Sequence, residues 1–142
     1  PMIRPVVQSI SGFIAVVPAE RSRDLDLLAA ACVRAFDGFR AALAPDDRAR
    51  RKPQALTPRQ VEYLDRWGYP YVMEEFRFHM TLTGRLEGPR REHVLALLQQ
   101  RFAALGVQTL AIDRIAVFRQ SGAASRFRII DQWPLHAAPA ET

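Results

Sequence analysis

Apolar and polar residues alternate along residues 75–83, which read E-F-R-F-H-M-T-L-T and are followed by Gly84. Side chains of a strand have a period of two, so each set would occupy one face. The apolar set comprises Phe76, Phe78, Met80 and Leu82, and the polar set comprises Arg77, His79, Thr81 and Thr83. We therefore predict a strand over residues 75–83 whose polar face borders a cleft or solvent.

Apolar spacing also predicts three helices. Leucine, alanine and phenylalanine recur at three- and four-residue intervals over residues 24–43, and similar spacing marks residues 89–105. A third helix over residues 57–67 is indicated by Thr57-Pro58 and Gln60, which form a capping box with proline at the first helical position. Gly68 would end that helix. Two prolines and many charges predict an exposed loop over residues 44–55.

Further strands are predicted over residues 6–17, with a break at Ser11-Gly12, and over residues 107–118 and 126–133. The last two would form an antiparallel hairpin. Strands separated by helices and followed by a hairpin are typical of an α+β fold. We expect helices packed on one face of a mixed or largely antiparallel sheet.

The size and composition fit one domain over residues 1–142, with a small, polar tail predicted to fray at residues 137–142. About half of the residues are apolar and 25% are charged, as in soluble globular proteins. Neither a secretory leader nor an apolar run of the ~18 residues needed to cross a bilayer is present, so a cytoplasmic location is predicted. The single cysteine, Cys32, excludes an internal disulfide and a cysteine-based zinc site.

The net charge is +5 and the sequence pI is about 10.3, which raises the question of a nucleic-acid partner. Apart from a cluster at Arg48, Arg50, Arg51 and Lys52, the basic residues are scattered along the chain. We interpret the cluster as part of a solvated loop and expect no stable nucleic-acid complex. Arginine does suit planar contacts to phosphate, so a small phosphorylated ligand remains compatible with this charge.

The polar face of the predicted strand carries groups suited to a phosphodiester. His79 and Thr81 would lie roughly 6 to 7 Å apart along a strand, within reach of one phosphate group. An imidazole can take or give a proton near neutral pH, and a threonine hydroxyl can donate to a phosphoryl oxygen. Arg77 would add a charge-assisted contact. The alternative is a half-buried strand whose polar face binds no ligand.

The segment His79-Met80-Thr81-Leu82 resembles the histidine-x-threonine/serine-hydrophobic motif of the two-histidine (2H, LigT-like) phosphoesterase superfamily. The wider run TPRQVEYLDRWGYPYVMEEFRFHMTLTG, with FIAVVPAE and VRAFDGFRAAL before it, resembles the C-terminal half of the subgroup associated with phosphonate-metabolism operons. This resemblance implies a pseudo-twofold α+β fold whose two lobes each contribute one motif to a central cleft. It implies metal-independent and cofactor-free hydrolysis of 2′,3′-cyclic phosphates, RNA ends or small phosphodiesters, with His79 as one general acid/base and Thr81 as a phosphate ligand.

The family pattern needs two motifs, and the sequence contains one. His93 precedes Val94-Leu95 on a predicted helix, and His136 precedes Ala137-Ala138 in the tail. The second motif is expected upstream of Pro1, in an N-terminal lobe, so the chain looks like a fragment. A homodimer about a twofold axis could also bring two copies of the His79 strand together.

Three functional hypotheses stay open. The first is a phosphodiesterase or cyclic-phosphate hydrolase that uses His79 and Thr81. The second is a module that binds a nucleotide or phosphorylated metabolite without turnover. This module would bind through Arg77, Thr81 and either Arg126 or Arg128, the last two sharing one face of the final strand. The residues predicted to bind substrate are Arg77, Thr83, Arg126 and Arg128. The third is a structural domain whose polar face has no ligand.

Overall fold

The computed structural model describes residues 1–122 and 124–136 and has the predicted α+β class. Its helices are α1 (Arg23–Phe36), α2 (Pro45–Arg50), α3 (Pro58–Trp67) and α4 (Gly88–Ala103). Its strands are β1 (Met2–Ile3), β2 (Pro5–Ile10), β3 (Phe13–Pro18), β4 (Met80–Thr81), β5 (Leu110–Ala111), β6 (Arg114–Arg119) and β7 (Arg128–Pro134). Short 3₁₀ helices occur at Asp37–Phe39, Pro53–Ala55 and Met73–Glu75. The tail predicted at residues 137–142 lies outside the described residues.

All strand pairs in the described part of the chain are antiparallel. The largest sheet has the order β2-β3-β4, and two further pairs are formed by β1 with β5 and by β6 with β7. The predicted hairpin of the last two strands is therefore confirmed. None of the helices described is long and apolar enough to cross a membrane.

One cluster of the buried core lies between the three-stranded sheet and α4. Strand β3 is the most buried element because it is central in this sheet, as its continuous apolar sequence predicts. Val7, Ile14 and Val16 form the buried cluster on the α4 side. The partly buried side chains packed against it are Met80, Leu86, Val94, Leu95, Leu98 and Phe102. The apolar stripe predicted for the third helix thus covers one sheet face, and Gln99 Nε2 also donates to the carbonyl oxygen of Val7 at 3.1 Å.

The capping box of α3 is confirmed. Thr57 Oγ1 accepts a hydrogen bond from the Gln60 amide at 3.2 Å, and Gln60 Oε1 accepts one from the Thr57 amide at 3.1 Å. Gly68 ends the helix with φ of +74°, a left-handed conformation that costs glycine little. Helix α3 buries Tyr63 and Leu64.

Three predicted segments differ from the structure. The strand predicted over residues 107–118 is divided into β5, which pairs with β1, and β6. The helix predicted over residues 24–43 ends at Phe36, because the chain turns through the 3₁₀ helix Asp37–Phe39. The segment 44–55 is not wholly irregular, since it contains α2. Proline at the first helical position and Asp46 and Asp47 in the first turn favour this short helix.

Candidate functional site

The alternating segment at residues 75–83 is a strand only at β4, so the predicted nine-residue strand was wrong in its length. The 3₁₀ helix Met73–Glu75 precedes it, and Met73 has a positive φ of 53°. Beyond β4, the amide groups of Leu82 and Thr83 both donate to the carbonyl oxygen of Ile14. The short strand nevertheless holds the His79-x-Thr81 segment at the edge of the three-stranded sheet.

Three paired residues, two of them polar, form a row across the sheet on the face opposite α4. Gln8 is paired with Ala15, and Ala15 is paired with Thr81. Because side chains alternate along each strand, this row faces away from Val7 and Val16, which pack toward α4. Gln8 and Thr81 are exposed and Ala15 is buried. Adjacent strands are about 4.8 Å apart, so the two polar residues lie about 10 Å apart across a small central side chain.

The imidazole of His79 has a defined orientation. Its Nδ1 atom lies 2.8 Å from the carbonyl oxygen of Arg77. A carbonyl oxygen can only accept, so Nδ1 carries the proton and the neutral ring has its lone pair on Nε2. His79 is exposed. The arrangement is therefore suited to proton transfer at Nε2.

The ring of Phe13 contacts His79 from the neighbouring strand. The two ring centroids are 5.5 Å apart and the ring planes are inclined by 51°. This is a usual separation for a favourable pair of rings. Phe13 is part of β3, so the imidazole is held by a backbone carbonyl of its own segment and by a side chain from the central strand.

Arg77 lines a groove of about 510 Å³ on the α1 side of the sheet. The groove is also lined by Gln8 from β2, by Ser22 before α1, and by Phe76 and Phe78 on either side of Arg77. Within the described residues, the guanidinium of Arg77 has no ion pair, whereas Arg21 in the same groove pairs with Asp26 at 2.6 Å. Arg77 is thus an unpaired cation two positions before His79 in the chain, and His79 itself does not line this groove.

The hydroxyl of Thr83 is used inside the fold. Its Oγ1 accepts a hydrogen bond from the Ile14 amide at 3.0 Å and donates one to the Gly84 carbonyl at 2.8 Å. The first of these contacts joins the segment after β4 to β3. Its role as a ligand residue stays a prediction, and binding there would compete with both bonds.

The remaining predicted residues lie elsewhere in the fold. Arg126 and Arg128 line a separate groove at the end of the β6-β7 hairpin. His93 lies on α4 and His136 follows β7, and no described contact joins either ring to His79. No group of three or more histidine, cysteine, aspartate or glutamate side chains in the described part of the chain could hold a metal ion.

A charged cluster anchors the 3₁₀ helix that precedes His79. Arg59 Nε lies 3.1 Å from Glu74 Oε1, and Gln60 Nε2 donates to Glu75 at 2.8 Å. The hydrogen bond from Tyr63 and the nearby Arg59 charge hold the pKa of Glu74 below its ordinary value. The same hydrogen bond, with burial, raises the pKa of Tyr63. Helix α3 therefore fixes the turn from which the His79 segment extends.

Sequence reasoning missed Phe13 and Gln8 as neighbours of the candidate site. Both belong to segments predicted as strands, but their positions depend on the register of β2 and β3 with β4. The periodicity of one segment carries no information on its pairing with another. Phe13 and Gln8 could have been identified only if the order and register of the strands over residues 6–17 and 75–83 had been known.

Two known proteins match this chain over part of their own length. A protein of Janthinobacterium sp. (strain Marseille) named ribose 1,5-bisphosphate phosphokinase PhnN is 36% identical over 118 residues, which cover 80% of this chain and 26% of that protein. A protein of the same name from Laribacter hongkongensis (strain HLHK9) is 32% identical over 121 residues, covering 85% of this chain and 27% of the relative. The chain thus spans about a quarter of the length of these relatives.

No solved structure shows a significant match to the chain. A family model described as Protein of unknown function (DUF1045) matches residues 1–128, which is most of the sequence. Because this match covers more than half of the chain, the chain is a member of the DUF1045 family.

Proposed function

We propose that this chain is one lobe of a metal-independent phosphodiesterase or cyclic-phosphate hydrolase of the two-histidine type. In this proposal His79 is one general acid/base and Thr81 binds a phosphoryl oxygen. The observation that carries the proposal is the 2.8 Å hydrogen bond between His79 Nδ1 and the Arg77 carbonyl. It leaves Nε2 of an exposed imidazole as the free basic atom, two residues from an exposed threonine hydroxyl.

The proposed reaction is hydrolysis of a phosphodiester. Nε2 of His79 removes a proton from water as the water oxygen bonds to phosphorus. The bond from phosphorus to the ester oxygen breaks, and that oxygen takes a proton from a second histidine. The products are a phosphomonoester and a free hydroxyl, and proton exchange with solvent restores both rings. The second histidine would come from an N-terminal lobe or from a second copy of the chain.

Thr81 and Arg77 would bind the phosphoryl group. Thr81 lies on the sheet face opposite α4, and Arg77 lines the groove of about 510 Å³ at the same segment. A hydroxyl donor and an unpaired guanidinium supply the two kinds of contact that phosphoryl oxygens accept well. Gln8, on the other side of Ala15, would contact the part of the substrate that extends across the sheet.

The sequence resemblance and the named relatives support a role in phosphonate metabolism. Both relatives carry the name ribose 1,5-bisphosphate phosphokinase PhnN. Phosphorylated sugars are therefore one substrate class to test, beside cyclic nucleotides. The proposed hydrolysis is not the activity for which these relatives are named.

The test measures hydrolysis of 2′,3′-cyclic AMP in the presence of EDTA. We expect His79→Gln to lower kcat by about 10²- to 10⁴-fold, because a positioned acid or base contributes about that much. Thr81→Val should lower kcat/KM, and Thr81→Ser should retain most of it. His93→Gln is the matched control. Equal rates for the native chain and His79→Gln would contradict the assignment of His79. Absence of turnover at every protein concentration would exclude a second copy of the chain as the source of the second histidine.

A non-catalytic phosphate-binding module is the second candidate. It is favoured by the position of His93 and His136, neither of which contacts His79 in the described structure. Saturable binding of 2′,3′-cyclic AMP that is lost in Arg77→Ala, with no turnover, is the result expected of this second candidate. Arg85→Ala would be its control, since Arg85 lies outside the Arg77 groove.

A further inference from the structure

Two arginines oppose each other at the end of the β6-β7 hairpin. Arg119 is paired with Arg128 in the antiparallel register. This pairing depends on a bulge, because Val117 is paired with Asp131 and Phe118 with Ile129, which leaves Ile130 as an extra residue in β7. Like charges directly across an antiparallel pair destabilise it. The register therefore places two cations side by side where each weakens the hairpin.

A third arginine completes the cluster. Arg119, Arg126 and Arg128 line one groove of about 810 Å³, together with Ser121, Ser125 and Phe127. None of the three guanidinium groups has an ion pair or a side-chain hydrogen bond within residues 1–122 and 124–136. Arg114, at the other end of β6, differs because it pairs with Asp113 at 2.9 Å. The hairpin end thus concentrates positive charge without internal compensation.

We propose that this hairpin end binds the phosphate group of a small anionic metabolite. A phosphate dianion would offset the repulsion between Arg119 and Arg128 and would accept paired N–H donors from their planar guanidinium groups. The cluster is compact. Directly opposed residues have Cβ atoms about 5 Å apart, and two residues along an extended chain span about 7 Å.

The small size of the arginine cluster favours a single phosphate group over a nucleic-acid chain as its ligand. A single-stranded nucleic acid is usually followed by a basic groove that extends over about four or more nucleotides, with aromatic platforms for the bases. The three arginines instead line one groove at one end of a two-stranded ribbon. Phe127 adds one exposed ring beside them, which suits an organic ligand that carries the phosphate.

This site is independent of hydrolysis at His79. No described contact links the hairpin groove to the His79 segment, and the two grooves share no lining residue. Binding at the hairpin end is therefore measurable without turnover. Loss of phosphodiesterase activity in His79→Gln and loss of anion binding in an arginine variant would report on different proposals.

The experiment is calorimetric titration with inorganic phosphate and pyrophosphate at low ionic strength. We expect saturable binding that weakens at least fivefold in Arg119→Gln and in Arg128→Gln. Arg114→Gln removes the same charge from the same strand and should change the dissociation constant less than twofold. Arg85→Gln, on a surface outside both grooves, should also change it less than twofold.

Arg119→Glu separates binding from folding. It would place a carboxylate opposite Arg128, so the unfolding temperature should equal or exceed that of the native chain while pyrophosphate binding is lost. The proposal is overturned if neither anion binds saturably or if Arg114→Gln weakens binding as much as Arg119→Gln. It is also overturned if a ten-nucleotide single strand binds more than tenfold tighter than pyrophosphate through Arg119, since the surface would then serve nucleic acid.

Discussion

His79 Nδ1 donates a hydrogen bond to the carbonyl oxygen of Arg77, two residues earlier in the chain, at 2.8 Å. A contact this local needs no distant element to form, so it sets the tautomer of the ring wherever the segment keeps its extended shape. The basic lone pair then lies on Nε2. This one bond links the backbone path of the His79 segment to the direction in which a proton can be transferred.

The tautomer is directly measurable. In ¹⁵N-edited spectra of the neutral ring, His79 should show a protonated Nδ1 and an unprotonated Nε2. His93, whose ring has no hydrogen bond within the described residues, is the internal control and should show averaged tautomers. A His79 signal with the proton predominantly on Nε2 would remove the assignment of that atom as the base.

Phe13 should position His79 without contacting substrate. Replacing Phe13 with leucine removes the ring contact at 5.5 Å and lets the imidazole rotate. We expect kcat for 2′,3′-cyclic AMP to fall about tenfold with KM nearly unchanged, because small misplacements of a catalytic group are costly. The His79 tautomer signal should broaden in the same variant. Phe118→Leu, on the exposed hairpin, is the control, and an equal loss of kcat there would argue against a local effect.

Gly68 should resist substitution more than Gly38. Gly68 has φ of +74°, and an added Cβ would lie 3.2 Å from the Arg40 side chain. Gly68→Ala should lower the free energy of unfolding by about 1 kcal/mol, since alanine in a left-handed conformation is strained. Gly38 lacks a positive φ and an added Cβ would meet no atom within 4 Å. Urea unfolding of both variants makes the comparison, and equal losses would contradict it.

Stability should fall in acid partly through Glu74. The hydrogen bond from Tyr63 and the nearby Arg59 charge lower the pKa of Glu74 in the folded state. A carboxyl whose folded pKa is lower than its unfolded pKa stabilises the protein above the unfolded value and loses that contribution as pH falls through the folded value. The loss should begin near pH 4.5, the ordinary value of this group, and continue below it.

Thermal unfolding of the native chain and its variants between pH 3 and pH 7 tests this prediction. Glu74→Gln should flatten the acid side of the profile relative to the native chain. Glu92→Gln, on exposed α4, should leave the slope as it is. If Glu74→Gln retained the full native slope, Glu74 would not be a source of the acid sensitivity.

Local signals predicted the parts of the fold that depend on neighbouring residues. Thr57, Gln60 and Gly68 mark the ends of α3, and the continuous apolar run marks β3 as central. The same kind of signal was present for α2 in Ala44-Pro45-Asp46-Asp47, where prolines and charges favoured a loop in our prediction. Proline at the first helical position and the acidic first turn outweigh general polarity there.

Features that depend on register could not be predicted from one sequence. Alternation identified His79 and Thr81 as members of one polar set, but the strand ends at Thr81 and the hydroxyl of Thr83 binds the backbone of β3. The neighbours of His79 and the partner of Arg119 depend on pairing between distant segments. Pairing is decided by packing and turn geometry over the whole sheet, not by the period of one strand.

The extra residue at Ile130 has a consequence for reading relatives of this protein. Without it, continuation of the pairing from Val117 and Asp131 would place Arg128 opposite Gln120 rather than opposite Arg119. A relative that lacks one residue here could retain every arginine and still have no convergent cation cluster. Counting arginines in an alignment would then overstate how many relatives have the site. The number of residues between Asp131 and Arg128 would show whether the two arginines are paired.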